Sequence, residues 1–183
     1  MAFTMAKWTI ADYHQMIAVG LLQDRRVELL AGNIVEMAPE GEPHAYYSDE
    51  AAEYLIYLLG ERAKVRQGKP ITLWQNQSEP QPGIAIVQRL GADYLDHHPY
   101  PENIFWLIEY SDSSLSKDLE TKAKIYAAAG ILEYWVINLR AMQLIVFRTP
   151  TPAGYLSQQV WTPAQICPLA FPDITISVNR LLG

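Results

Sequence analysis

The chain has 183 residues, half of them apolar, and sets 14 Lys and Arg against 20 Asp and Glu for a formal charge of −6. Such a composition excludes a disordered chain, and this length buries roughly 70% of the unfolded surface, enough for one core. The lone Cys167 excludes a disulfide framework and a thiolate-rich zinc site, and no run approaches the ~18 apolar residues of a membrane span. The opening MAFTMAKWTIADYH has no apolar signal core, so the expectation is one cytoplasmic α/β or α+β domain over residues 1–183, without a membrane partner.

In chain order, Thr9 with Asp12 three positions on reads as a helix N-cap, followed by Tyr13, Ile17, Leu21 and Leu22 near helical spacing. Two β-prone runs, 26–30 and 34–37, flank Ala31-Gly32-Asn33 and predict a tight hairpin. From His44 to Glu61 the residues Tyr47, Ala51, Tyr54, Leu55, Leu58 and Leu59 form one apolar helical stripe. Arg62, Lys64, Arg66 and Lys69 make a basic run, read as a solvated helix end that could also face a phosphate backbone.

Strands are expected at Ile71–Trp74 and Ile84–Val87, and a loop over 88–103. The nearly unbroken apolar run Ile104–Tyr110 marks a strand buried on both faces. A helix over Asp118–Ala129, closed by Gly130, and a buried strand Glu133–Asn138 complete a βαβ unit with parallel strands. A hairpin over Leu144–Phe147 and Tyr155–Val160 and a short strand Ile174–Ser177 end the pattern.

Glu109 is the most informative residue. A carboxylate inside an Ile-Phe-Trp-Leu-Ile run is costly to bury unless it is paired or metal-bound, and it falls at the carboxyl end of a parallel strand, where open α/β sheets place ligands. Lys122, early on the following helix, can point back at it. The pair could hold a divalent cation and orient a water, or be an ion pair without chemistry; spacing alone weighs the two equally. Glu28, in the hairpin, reads by itself as a solvent-facing charge. His44, at a helix start, is a candidate proton shuttle or ligand, though more often such a histidine is structural. His97 and His98 read as surface, and Cys167 as buried and inert. No phosphate-binding glycine loop, HExxH or GxSxG occurs.

Four segments in order, Val27-Glu-Leu-Leu-Ala-Gly-Asn-Ile-Val-Glu-Met37, Ser78-Glu-Pro-Gln-Pro82, Leu107-Ile-Glu-Tyr-Ser-Asp-Ser-Ser114 and Ala129-Gly-Ile-Leu-Glu-Tyr-Trp-Val-Ile-Asn138, together with Ala170-Phe-Pro172, closely resemble the bacterial Uma family of restriction endonucleases. The resemblance runs from about Trp8 to Leu182 and places the chain in the PD-(D/E)XK nuclease superfamily. It implies a restriction-endonuclease-like core, a mixed central sheet flanked by helices after an N-terminal helix and hairpin. It also implies a Mg²⁺- or Mn²⁺-dependent endonuclease acting on DNA, and a homodimer.

Carried over by position, the resemblance makes Glu28 and Glu109 the carboxylates at the metal, Lys122 the lysine, and His44 the histidine opening the second helix. One position departs. Where the family carries a metal-binding aspartate after Glu79-Pro-Gln-Pro82, this chain has Gly83. Losing one of two carboxylates is serious for an ion held by only one or two, so the alternative to an endonuclease is an inactive nuclease-fold binding module. Glu79, four residues and roughly 13 Å upstream along an extended strand, is too far to substitute.

Overall fold

The computed structural model describes residues 5–162 and 164–183; the first four residues of the opening segment read for a signal core lie outside them. The first helix, α1 (Ile10–Ala18), carries the expected cap: Thr9 Oγ1 accepts from the Asp12 N–H, and the Asp12 carboxylate accepts from the Thr9 N–H. The hairpin β1 (Val27–Leu30) and β2 (Asn33–Glu36) turns through Ala31 and Gly32, with φ of 48° and 74°. Two successive positive φ values give the primed turn whose twist matches the strands, and glycine supplies one of them without strain. This two-stranded sheet stands apart from the main one.

The main sheet has six strands in the order β3 (Lys64–Gln67), β4 (Ile84–Val87), β5 (Ile104–Ser111), β6 (Glu133–Asn138), β7 (Gln143–Thr151) and β8 (Gly154–Trp161). All neighbours are antiparallel except β5 and β6, which pair parallel as the βαβ pattern requires. Alternation on β5 sorts its side chains between two cores. Trp106, Ile108 and Tyr110 join Leu55 and Leu59 of α2 (Glu42–Leu59), while Leu107 joins Ile125 and Tyr126 of α3 (Ala123–Ala128) on the other face. A short pair, β9 (Gln165–Ile166) with β10 (Ile176–Ser177), and a final helix α4 (Val178–Leu182) close the α2 face. Among the described residues no helix is long and apolar enough to cross a membrane.

Three expectations are corrected. Ile71–Trp74 is not a strand: Ile71 and Leu73 are buried, but only Leu73 pairs, in a single bridge to Ser78, and a 3₁₀ turn begins at Trp74. The sheet's first strand comes instead from the basic run, because Val65 pairs with Ile86 and packs on the α2 core. Cys167 is exposed, since the neighbouring Ile166 takes the inward position of that short strand.

Candidate active site

Alternation on β5 sends Glu109 to the α3 face, among apolar neighbours and 6% exposed. Alternation on β1 does the same for Glu28: Val27 and Leu29 pack on Ile10 and Tyr13 of the first helix, so Glu28 and Leu30 face the main sheet. Glu28 is fully buried, against the solvent-facing position that hairpin statistics suggest. Both acids meet the same amine. The Lys122 Nζ lies 2.8 Å from Glu109 Oε1 and 3.2 Å from Glu28 Oε2. A second lysine, Lys117, reaches Glu28 Oε1 at 3.0 Å.

The helix between β5 and β6 opens with a π-turn over Lys117–Lys122 before continuing as α3. Five residues close one π-turn, whereas on an α-helix of 3.6 residues per turn they would sit about 140° apart. This irregularity is what aims both lysines at one carboxylate. The turn is braced by Asp118, whose Oδ2 accepts from the hydroxyls of Ser111 at 2.7 Å and Ser114 at 2.6 Å.

Every carboxylate oxygen of the two glutamates has a donor. Glu109 Oε1 accepts from Lys122 and, at 2.9 Å, from the Tyr126 hydroxyl; its Oε2 accepts from the Gly83 N–H at 3.1 Å. Glu28 Oε2 accepts from the Gln81 N–H at 3.2 Å as well as facing Lys122. Burial pushes the Glu109 carboxyl up to about 7; Lys122 opposes this, and the charges of Asp118 and Glu28 add to it. Burial also pushes Glu28 upward, but Lys122, Lys117 and the Gln81 N–H outweigh it and hold that carboxyl below its ordinary value. Lys122 resists its own desolvation because Glu109, Glu28 and Asp118 surround it, and its proton is held more tightly than usual.

Glu109, Asp118 and Lys122 form the floor of a cleft of ≈ 390 Å³ whose walls include Arg26, His44, Gly83 and Lys117, with Glu28 sealed behind the lysines. His44 stands on the rim, its Nδ1 3.7 Å from Glu40 and its ring edge-on to Tyr110 at 6.1 Å; it touches neither glutamate pair nor lysine at hydrogen-bond distance. Glu79 is committed elsewhere: its carboxylate binds His14 Nε2 at 2.8 Å and the Thr72 hydroxyl at 2.9 Å. The two arginines of the basic run are engaged, while Lys64 and Lys69 are exposed. Arg62 is clasped bidentately by Asp173 and lies over Phe171, and Arg66 is half-buried over the Tyr94 ring. His97 and His98, expected on the surface, are half-buried, with His97 stacked on Tyr100 at 4.3 Å.

Sequence reasoning brought Glu28, Glu109 and Lys122 together but missed Lys117, Asp118 and Tyr126. An acid-bearing strand followed by Ser-x-x-Ser and a helix with Lys at five-residue spacing was the available signal for them.

A family model described as Uma2, putative restriction endonuclease, matches residues 10–179, and the chain belongs to that family. Its fold is similar to the crystal structure of a putative nuclease of the DUF820 group from Anabaena variabilis. That likeness has a TM-score of 0.73 at 16% identity and covers 95% of this chain and 97% of the other. No curated protein matches.

The family's chemistry calls on a divalent cation, and the residues here do not fit one as they stand. Mg²⁺ asks for oxygen ligands at about 2.0–2.1 Å, but all four glutamate oxygens are engaged by N–H or O–H donors. At Gly83 the cleft offers a backbone donor to Glu109 in place of a further carboxylate. Among the described residues no group of three His, Cys, Asp or Glu is arranged to hold a metal ion.

Proposed function

We propose that this member of the Uma2 family receives a DNA phosphodiester in the cleft above Glu28, Glu109 and Lys122, and that the metal-assisted hydrolysis of an endonuclease is disabled in it at Gly83. The observation carrying this reading is the 3.1 Å hydrogen bond from the Gly83 N–H to Glu109. In the family's arrangement that position contributes an acid as well as its backbone; here only the backbone N–H is left, and with Lys122 and Tyr126 it satisfies Glu109. The chain's own groups would then act electrostatically. Lys122 is shared by the two glutamates, Tyr126 fixes the orientation of Glu109, and Lys117 and Lys122 together balance the charges of Glu28 and Glu109, lowering the repulsion that an anionic backbone meets.

A second reading is an endonuclease active with Mg²⁺ or Mn²⁺ held by Glu109 and Glu28. It is favoured by the convergence of both carboxylates on one point, which Lys122 Nζ marks at 2.8 and 3.2 Å. Both readings take DNA as partner, together with a second copy of the chain.

The deciding experiment is a Mn²⁺ titration followed by melting temperature and by nicking of supercoiled plasmid, in the parent and in Gly83→Asp. The backbone tolerates the change: Gly83 has no positive φ, and a Cβ there would lie 3.2 Å from the Ile108 carbonyl oxygen, requiring a shift of a few tenths of an ångström. The disabled reading expects no metal response in the parent and a rise of several degrees, with nicking, in Gly83→Asp. Metal-dependent nicking by the parent that Glu109→Ala abolishes would establish the second reading instead.

A further inference from the structure

The site's charged groups differ sharply in how far the cleft can reach them. Glu28 is sealed and the side chains of Lys122 and Glu109 are 3% and 8% exposed, but that of Lys117 is 28% exposed and lines the cleft wall. Hydrogen-bond capacity differs too. An ammonium carries three N–H donors. Lys122 spends its donors on two glutamates, whereas Lys117 Nζ has one acceptor among the described residues, Glu28 Oε1 at 3.0 Å. Two of its donors therefore have no acceptor among the described residues, on a cleft-lining side chain held from behind by the carboxylate.

We infer that Lys117 is a phosphate-binding residue: its ammonium, braced against Glu28 by the π-turn, presents two donors to the non-bridging oxygens of a phosphate group entering the cleft. The inference rests on the phosphodiester reading above and adds to it the residue that makes the contact, independent of any cation. A fixed amine suits an oxyanion because charge-assisted bonds are the strong ones, and the entropy of holding the lysine is already spent on the Glu28 contact. Loss of Lys117 leaves Lys122 on Glu28, so the fold survives its removal.

The test measures two probes in EDTA. Inorganic phosphate binding is followed by calorimetry, and a fluorescein-labelled DNA duplex is followed by anisotropy at several KCl concentrations. Lys117→Ala should weaken phosphate binding at least tenfold, since it removes two charge-assisted hydrogen bonds and one alone is worth about that factor, and lower the salt slope for DNA by about one. Lys117→Arg should keep both, and Lys124→Ala, an exposed lysine on the same helix, should change neither.

Unaltered phosphate affinity in Lys117→Ala overturns the inference, whatever DNA does. If DNA binds the parent and Lys117→Ala alike with one slope, the Lys117 contact is overturned and the DNA reading stands. If the parent binds phosphate through Lys117 but no DNA, the contact stands and the DNA reading falls. A parent that binds neither probe overturns both.

Discussion

Replacing Lys122 with methionine keeps the length of the side chain and removes its charge, leaving Glu28 and Glu109 to face each other without the amine between them. Removing one partner from a buried ion pair costs about 3–5 kcal/mol. Here the lower end applies, because Glu28 keeps Lys117 and the Gln81 N–H, and Glu109 keeps Tyr126 and the Gly83 N–H. A loss of ~3 kcal/mol in a chain of this length lowers the melting temperature by roughly 6–12 °C.

The loss must depend on pH. In the parent at pH 8 both glutamates are ionised and Lys122 serves both; at pH 5.5 the parent's Glu109, whose carboxyl sits at about 7, already carries a proton, so the loss of Lys122 is felt mainly at Glu28 and the deficit should shrink by about half. Urea unfolding at the two pH values measures it, and the double variant Lys122→Met/Glu109→Gln should lose less than the sum of the single variants. A deficit below about 1 kcal/mol, or one equal at both pH values, would refute the account of Lys122 as the shared counter-charge.

Other expectations are narrower. In the parent, Glu109 binds its proton more tightly when folded than when unfolded, so stability should fall as pH rises from 4.5 toward 7, with a ceiling of ~3 kcal/mol at ~1.4 kcal/mol per unit; Glu109→Gln should flatten that slope in chemical denaturation. Below 4.5 the sign reverses for Glu28, whose lowered carboxyl contributes stability that is lost as acid protonates it. Tyr126→Phe removes one donor from Glu109 and should cost about 1–2 kcal/mol, measured by urea midpoint, while raising the pH at which Glu109 titrates, read by carbon NMR. His14→Ala strips the buried Glu79 of one of its two side-chain partners and should cost about 1–3 kcal/mol in the same assay, without changing phosphate affinity.

The legible parts of the sequence were those with an unambiguous period. An unbroken apolar run around Glu109, a helix, and a second apolar run admit little besides a parallel pair, and the Thr9–Asp12 cap is local chemistry. Lys64–Gln67 was illegible because its cations look like a helix end, and only pairing with β4 makes it a strand. Ile71 and Leu73 have strand-like residues whose burial comes from packing around a turn. Glu28 misleads for a related reason: a hairpin of two four-residue strands has no solvent face on the side where it docks, and docking is a long-range event. The π-turn escapes a 3.6-residue template by definition, so Lys117 and Lys122 do not share a face until the irregularity is seen.

Among the described residues the β1–β2 hairpin shares no extended ladder with the six strands; a bridge from Leu29 to Glu79, the Ile10–Tyr13–Leu29 cluster, Leu30 in the α3 core and the Glu28 ion pairs secure it. One of the cluster's two glutamates therefore rides on a sheet separate from the one that carries the other. Should that hairpin lift, Lys117 would lose its carboxylate while Lys122 kept Glu109, so the cleft would gain one uncompensated cation above an intact main sheet. Amide exchange ought to register this as early loss of protection at Val27–Glu36, well before the strands on either side of Glu109 begin to open.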